Sequence, residues 1–383
     1  MASGFHAIPD AKPPRTFAGI AHASPLLDRR AFLRMAGAAW AATLAPGGAR
    51  ALSRTDAVFA SGFRDRAGSF GLAVLAEDGT LIDRIALPAR SHGMAFSPAT
   101  GHLVAFARRP GTFALVVDQG GAGAPVTLAA AEGRHFFGHG CFSPDGRLLY
   151  ASENDFDANR GMIGLYDARD GYRRIGEYPT WGIGTHDLAV SDDGRMLIAA
   201  NGGIETHPDF GRTKLNLDHM EPSLALIDAA TGALIERHGL PAKLNRLSTR
   251  HVDLDAKGRI WFACQYEGPR NDLPPLVGRF ARGEALHFVD LPEETTAGLA
   301  NYVGAIAVNR REGLVGLTSP KGGRAVILDA ASGRVLREEA VADAAGIAAA
   351  ARDFAVSSYG GRFAESRADV AFDQHIQRLG RPA

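Results

Sequence analysis

Four histidines recur in one local phrase. They open His92-Gly-Met-Ala-Phe-Ser-Pro-Ala-Thr-Gly101, His139-Gly-Cys-Phe-Ser-Pro-Asp-Gly146, His186-Asp-Leu-Ala-Val-Ser-Asp-Asp-Gly194 and His251-Val-Asp-Leu-Asp-Ala-Lys-Gly258. Neutral imidazole ligates iron, copper, nickel and zinc, and carboxylates added to the set favour iron or zinc over Cu(I). Two carboxylates follow the strands paired with these phrases, Glu153 and Glu205. His92, His139, His186, His251, Glu153 and Glu205 are therefore the candidate metal ligands. Asn154, Asp155, Asn201, His207, Asp209, Arg212, Lys214, Gln265, Tyr266 and Glu267 share the same loops and are candidates for ligand or partner contact. Each residue also has a plainer reading. A histidine at a strand start can bond a neighbouring backbone and lock two sheets together, and a loop carboxylate can simply be solvated. The distance from His to the closing Gly varies over 9, 7, 8 and 7 residues. A one-residue slip reverses a side chain's direction, so convergence of the four is not guaranteed by the phrase alone.

The elements that must position these residues are short strands. Each phrase is an apolar strand, a polar turn ending in Gly, and a second apolar strand, with fainter copies at Gly304–Gly313 and Gly346–Asp353. Successive starts are 47, 47, 65, 53 and 42 residues apart. An interleaved phrase supplies two more strands per unit: Ile163-Gly-Leu-Tyr-Asp167, Leu224-Ala-Leu-Ile-Asp228 and Val326-Ile-Leu-Asp329, each followed by a Gly turn. Alternating strands joined by Gly and Asp turns are hairpin signals, and four strands in about 47 residues is the period of a propeller blade. The fold class is all-β, a seven-bladed β-propeller. The block Val58–Leu87 supplies three strands that lack an innermost partner, and Val370–Ile376 would complete that blade and close the ring from both termini. Six blades follow if the tail packs outside. In such a unit the loop into the innermost strand and the loop between the second and third strands open on one face, so the candidate residues gather at one channel mouth. The long segment Gly202–Glu221 is one of these loops; a loop of that length is usually functional or disordered, and its mixed charge and two His favour an ordered one.

Composition narrows the function. Forty-two Lys+Arg balance 42 Asp+Glu, so no basic surplus exists for nucleic acid. Gly numbers 46, well above the usual share of about 7%, in keeping with many turns. Two cysteines, Cys141 and Cys264, in non-neighbouring units read as free thiols and exclude a disulfide scaffold or a Cys-based cluster. Trp181, Trp261 and the phenylalanines read as packing between blades. No nucleophile elbow, P-loop, haem-attachment motif or dinucleotide fingerprint is present. Residues 28–34, Asp-Arg-Arg-Ala-Phe-Leu-Arg, match the twin-arginine export pattern; an apolar stretch from Met35 to Ala45 and Ala49-Arg50-Ala51 follow in the order of a cleavable signal. The apolar stretch is too short to span a membrane. The expected organisation is a removed signal at 1–51 and one propeller at 52–383, located in the periplasm. Removing the signal takes six basic and two acidic residues, which leaves 36 against 40 and a net charge of −4.

Several phrases resemble a family of bacterial exported proteins, domain-of-unknown-function family 1513. They are Gly138-His-Gly-Cys-Phe-Ser-Pro-Asp-Gly146, Tyr150-Ala-Ser-Glu-Asn-Asp155, Ala200-Asn-Gly-Gly-Ile-Glu-Thr-His-Pro-Asp209, Leu215-Asn-Leu-Asp218 and Trp261-Phe-Ala-Cys-Gln-Tyr266. The tail Phe372-Asp-Gln-His375 departs from the Trp-Asp-Asn-His-like ending of that family. The resemblance implies a propeller similar to the heavy chain of quinoprotein amine dehydrogenases. It also implies periplasmic iron or redox handling beside imelysin-type proteins and dihaem oxidoreductases, and it assigns no reaction. The leading expectation is a non-catalytic propeller that binds a transition metal (iron, copper or zinc), a metal complex or a partner protein. A metal-dependent oxidoreductase or lactonase-like hydrolase, and a pure interaction scaffold, are the alternatives.

Overall fold

The computed structural model describes residues 54, 56–119 and 124–380. The segment read as a twin-arginine signal, with its expected cleavage site, lies outside these residues.

Among the described residues, 28 strands form seven antiparallel four-stranded sheets. The innermost strands are β4 (Ser91–Ser97), β8 (Arg134–Phe142), β12 (Thr185–Val190), β16 (Leu247–Leu254), β20 (Ala305–Asn309), β24 (Ala344–Ala349) and β28 (Val370–Arg378). Each touches the next, and β28 touches both β24 and β4, so the ring is closed. The closing blade pairs β28 with β1 (Phe59–Asp65), then β2 (Phe70–Leu75) and β3 (Leu81–Leu87). The last strand thus supplies the innermost position that the N-terminal block lacks, and seven blades stand rather than six. We number this blade 1 and the others 2 to 7 along the chain. The described helical segments are a six-residue helix, α1 (Glu293–Gly298), and two single turns.

The second and third strands of most blades are buried on both faces, which is why they read as apolar runs rather than strict alternation. Leu197-Ile198-Ala199-Ala200 and Trp261-Phe262-Ala263-Cys264 are fully buried. The core lies between blades: one cluster joins Ile198 and Leu226 of blade 4 to Trp261 and Phe280 of blade 5 and to Val315 and Val326 of blade 6. Trp261 fulfils its expected packing role, whereas Trp181 is 43% exposed on a loop. Both thiols are free; Cys264 is buried and Cys141 partly so. The repeated turn has a physical basis. In Ser143–Gly146 the Ser143 hydroxyl donates to Asp145, and the Gly146 amide donates to the Ser143 carbonyl with Gly146 at φ 68°, a left-handed conformation that favours Gly. Ser191–Gly194 repeats the device.

Candidate metal centre

The five innermost strands that carry a central histidine share one distortion. The pairing register slips beside His92 between Ser91 and Met94, and beside His139 between Phe136 and Gly140. It slips between Thr185 and Asp187 around His186, and between Thr249 and His251. In β28 it slips between Phe372 and Ile376, around His375. A β-bulge re-aims a side chain and is favoured beside functional sites. These bulges absorb the variable His-to-Gly spacing. The regular β20 carries no histidine, and β24 is bulged without one.

The result is a five-imidazole cluster from blades 1 to 5. Ring centroids of neighbours around the ring, His375–His92, His92–His139, His139–His186, His186–His251 and His251–His375, lie 4.7, 4.8, 4.8, 4.8 and 4.9 Å apart. His139 is also 4.6 Å from His375. Ligand nitrogens fall into two triads sharing His139: His92, His139 and His186, then His139, His251 and His375, each within 4.8 Å. Two nitrogens on one ion at about 2.1 Å can stand at most about 4.2 Å apart, so the cluster is close to ligating dimensions. Glycines permit this packing. A Cβ on Gly138, which sits at φ +105°, would lie 2.8 Å from His92 Cδ2, and one on Gly93 would lie 2.6 Å from His139 Nδ1.

Asp187 orients the cluster. Its Oδ1 lies 3.3 Å from His139 Nδ1 and its Oδ2 3.7 Å from His251 Nδ1, while Oδ2 also accepts from the Val252 amide. Burial opposes its charge, and His139 and His251 more than offset this, holding the carboxyl far below its usual range. A carboxylate on Nδ1–H leaves Nε2 as the free lone pair, the arrangement that commonly supports metal-bound histidines. His139 Nε2 is indeed buried with no hydrogen-bond partner, as are His92 Nδ1 and His375 Nε2. Burial, reinforced by charge repulsion from neighbouring imidazoles and arginines, pushes His92, His186 and His375 well below their ordinary pKa. Burial also lowers His251, against the pull of Asp187. The shift in each case favours the neutral ring, the form that binds metal.

The two expected carboxylate ligands are placed elsewhere. Glu153 is fully buried, but it accepts from Tyr166 Oη at 2.5 Å and Arg174 Nη2 at 2.7 Å, and belongs to neither triad. Tyr166 lies on the third strand of the blade and Arg174 on its outermost, so the carboxylate is held on the outer strands of its own blade. Glu205 also stands in neither triad; its amide donates to Asn216 Oδ1 inside the long loop. The loop candidates divide by contact. Asn154 Nδ2 donates to Thr206 O, Asn201 bonds Thr180, Thr185 and Ser223, and Gln265 donates to Val303 O, so these three tie strands and loops together. Asp155 pairs with Arg134 and Arg160. His207 caps the turn at Asp209, and Tyr266 donates to Asp272. Lys214 is bonded to Glu267, and Asp209 and Arg212 are exposed.

His375 and Asp187 belong to this candidate site but were not among the residues that the sequence singled out. The signal for His375 was present: if Val370–Ile376 is an innermost strand, its histidine belongs with the other four. Asp187 follows His186 directly and had no recurring partner in the repeat to mark it.

A family model described as "Protein of unknown function (DUF1513)" matches residues 85–379. No curated protein matches the chain. Among solved structures, Kuenenia stuttgartiensis hydrazine synthase is similar at TM-score 0.57 and 15% identity, over 80% of this chain and 89% of that one. The Cps50 (Swd1) β-propeller domain of Myceliophteria thermophila is similar at TM-score 0.53 and 10% identity, over 80% and 94%. At these identities the likeness is one of fold.

Proposed function

The chain belongs to that family, and we propose that it holds a transition-metal ion on imidazoles at the centre of its propeller ring. One observation carries this reading: five histidines from five successive blades are packed around a common centre, and three of them keep buried nitrogens without partners. Unpaired buried polar atoms are rare because each loses its hydration for nothing. If the ring served only to lock blades, each imidazole would bond a neighbouring backbone, and the three orphaned nitrogens argue against that. With Glu153 and Glu205 outside both triads, the donor set is nitrogen. Such a set suits iron, copper, nickel and zinc and suits magnesium or calcium poorly. The export segment expected at 1–51 would deliver the folded, loaded chain to the periplasm, in the iron or redox setting that the family resemblance implies.

Metal analysis of protein recovered after export tests this. We expect about one transition-metal ion per chain, as for a single ligand cluster, and its loss in His139→Ala, the residue common to both triads. Absence of metal, with none taken up from iron, copper, nickel or zinc solutions, overturns it. A metal-dependent enzyme is the second reading. It is favoured by the partial exposure of His186 and His375, since a catalytic ion keeps an open position. Turnover by the loaded protein and its loss with the metal would select it.

A further inference from the structure

The ring of histidines lies beside a group of guanidinium groups whose donors are not used up. Arg108 follows β5 (His102–Ala107) and Arg109 follows Arg108, while Arg250 occupies the same bulge as His251. The side chain of Arg250 is 7% exposed and its Nε has no partner; Nε and Nη1 of Arg108 are likewise buried and unbonded. The Arg109 guanidinium is partly buried over the Phe137 ring, 5.7 Å from its centroid. Phe137, under Arg109, stands two residues before His139; Asp373, 3.7 Å from Arg108 Nη1, stands two residues before His375; and Arg250 directly precedes His251. Each of the three arginines therefore meets, or lies in, an innermost strand that carries a histidine of the cluster: Arg108 meets β28, Arg109 meets β8, and Arg250 lies in β16.

The carboxylates nearby are committed to other cations. Asp373 takes Arg90 in a two-point fork at 2.6 and 2.8 Å, leaving Arg108 at 3.7 Å. Glu267 is bonded to Lys214 and stands 3.8 Å from Arg250. His135, beside Arg109, is buried with both ring nitrogens unpartnered. Buried guanidinium donors without acceptors are unfavourable, and several of them border one cluster. A planar five-donor fork matches the oxygens of carboxylates and phosphates.

We propose that Arg108, Arg109 and Arg250 form a binding site for a multiply charged oxyanion, a polycarboxylate or a phosphate, directly beside the imidazole cluster. The site's donors belong to the protein itself, so it stands whether or not a metal is bound. Its position would let a bound anion also face an ion held on the histidines.

Calorimetric titration of the full-length chain, stripped with chelator and dialysed free of it, tests the proposal with citrate in one arm and inorganic phosphate in the other. Saturable binding of one or both is expected, weakening as salt rises, and the tighter arm identifies the class. Arg108→Gln should weaken binding roughly tenfold or more, the usual scale for a lost charge-assisted hydrogen bond, and Arg108→Lys should weaken it less. His139→Ala should leave anion binding in place, which separates failure here from failure of the metal reading. Binding of neither anion to the unsubstituted chain overturns the proposal, and so does equal binding by the Arg108 variants when their thermal unfolding matches that of the parent.

Discussion

Asp187 Oδ1 lies 3.3 Å from His139 Nδ1, joining the innermost strands of blades 3 and 4 at the point shared by both imidazole triads. The other carboxylate oxygen accepts from Val252 of blade 5 at 3.2 Å. One side chain therefore fixes blade geometry and the direction of a candidate ligand together.

Asp187→Asn preserves shape and an acceptor for Val252 but removes the charge. Loss of such a supporting carboxylate typically lowers metal affinity about 10–100-fold. Competition with a chelator of known affinity measures this, and an unchanged affinity would show that Asp187 serves only the blade junction.

Gly138→Ala tests the close packing of His92 and His139. The added methyl would meet His92 Cδ2 at 2.8 Å with the backbone at φ +105°. A strained backbone of this kind costs roughly 1–3 kcal/mol. Gly258→Ala is the control, also at positive φ but with nothing within 4 Å, and should cost about 1–2 kcal/mol. Urea unfolding measures both. Equal losses would mean the His92 contact relaxes freely.

A polar network in blade 3 gives a pH dependence. Hydrogen bonding from Arg134, aided by Arg174 and opposed by burial, lowers the Glu177 carboxyl to about 2. A folded pKa below the unfolded one stabilises above the unfolded value, about 4.3, and that contribution fades as pH falls toward 2. Glu177→Gln should therefore be less stable than the parent at pH 6, with the difference closing between about pH 4.3 and 2. A constant gap across that window would remove Glu177 ionisation from the account.

The fold was legible because its repeat is chemical: Gly-ended turns, apolar pairs of strands and a spacing near 47 residues specify blades without any long-range information. The closing strand Val370–Arg378 was legible from the deficit in the N-terminal block. The site was legible only in part. His92, His139, His186 and His251 stand out by recurring in phase. Glu153 looked equivalent on spacing, yet Tyr166 and Arg174, distant enough in sequence to be invisible to a repeat, hold it within its blade. The bulges that turn five imidazoles to one centre, and Asp187's reach across three blades, are tertiary facts that periodicity does not encode.

Export is tested by replacing Arg29 and Arg30 with Lys. The twin-arginine reading expects the precursor to accumulate in the cytoplasm with its signal attached. Fractionation and mass measurement of the product check this, and normal processing of the variant would contradict it.

Anomalous diffraction from crystals of the exported protein, collected at the absorption edges of iron, copper, nickel and zinc, tests the central claim most directly. The account predicts a peak for one of these elements within about 2.0–2.2 Å of imidazole nitrogens, with His139 Nε2 among them and at least two further ligands drawn from His92, His186, His251 and His375. Absence of a peak at every edge, with water or backbone partners on the nitrogens of His92, His139 and His375, would contradict it.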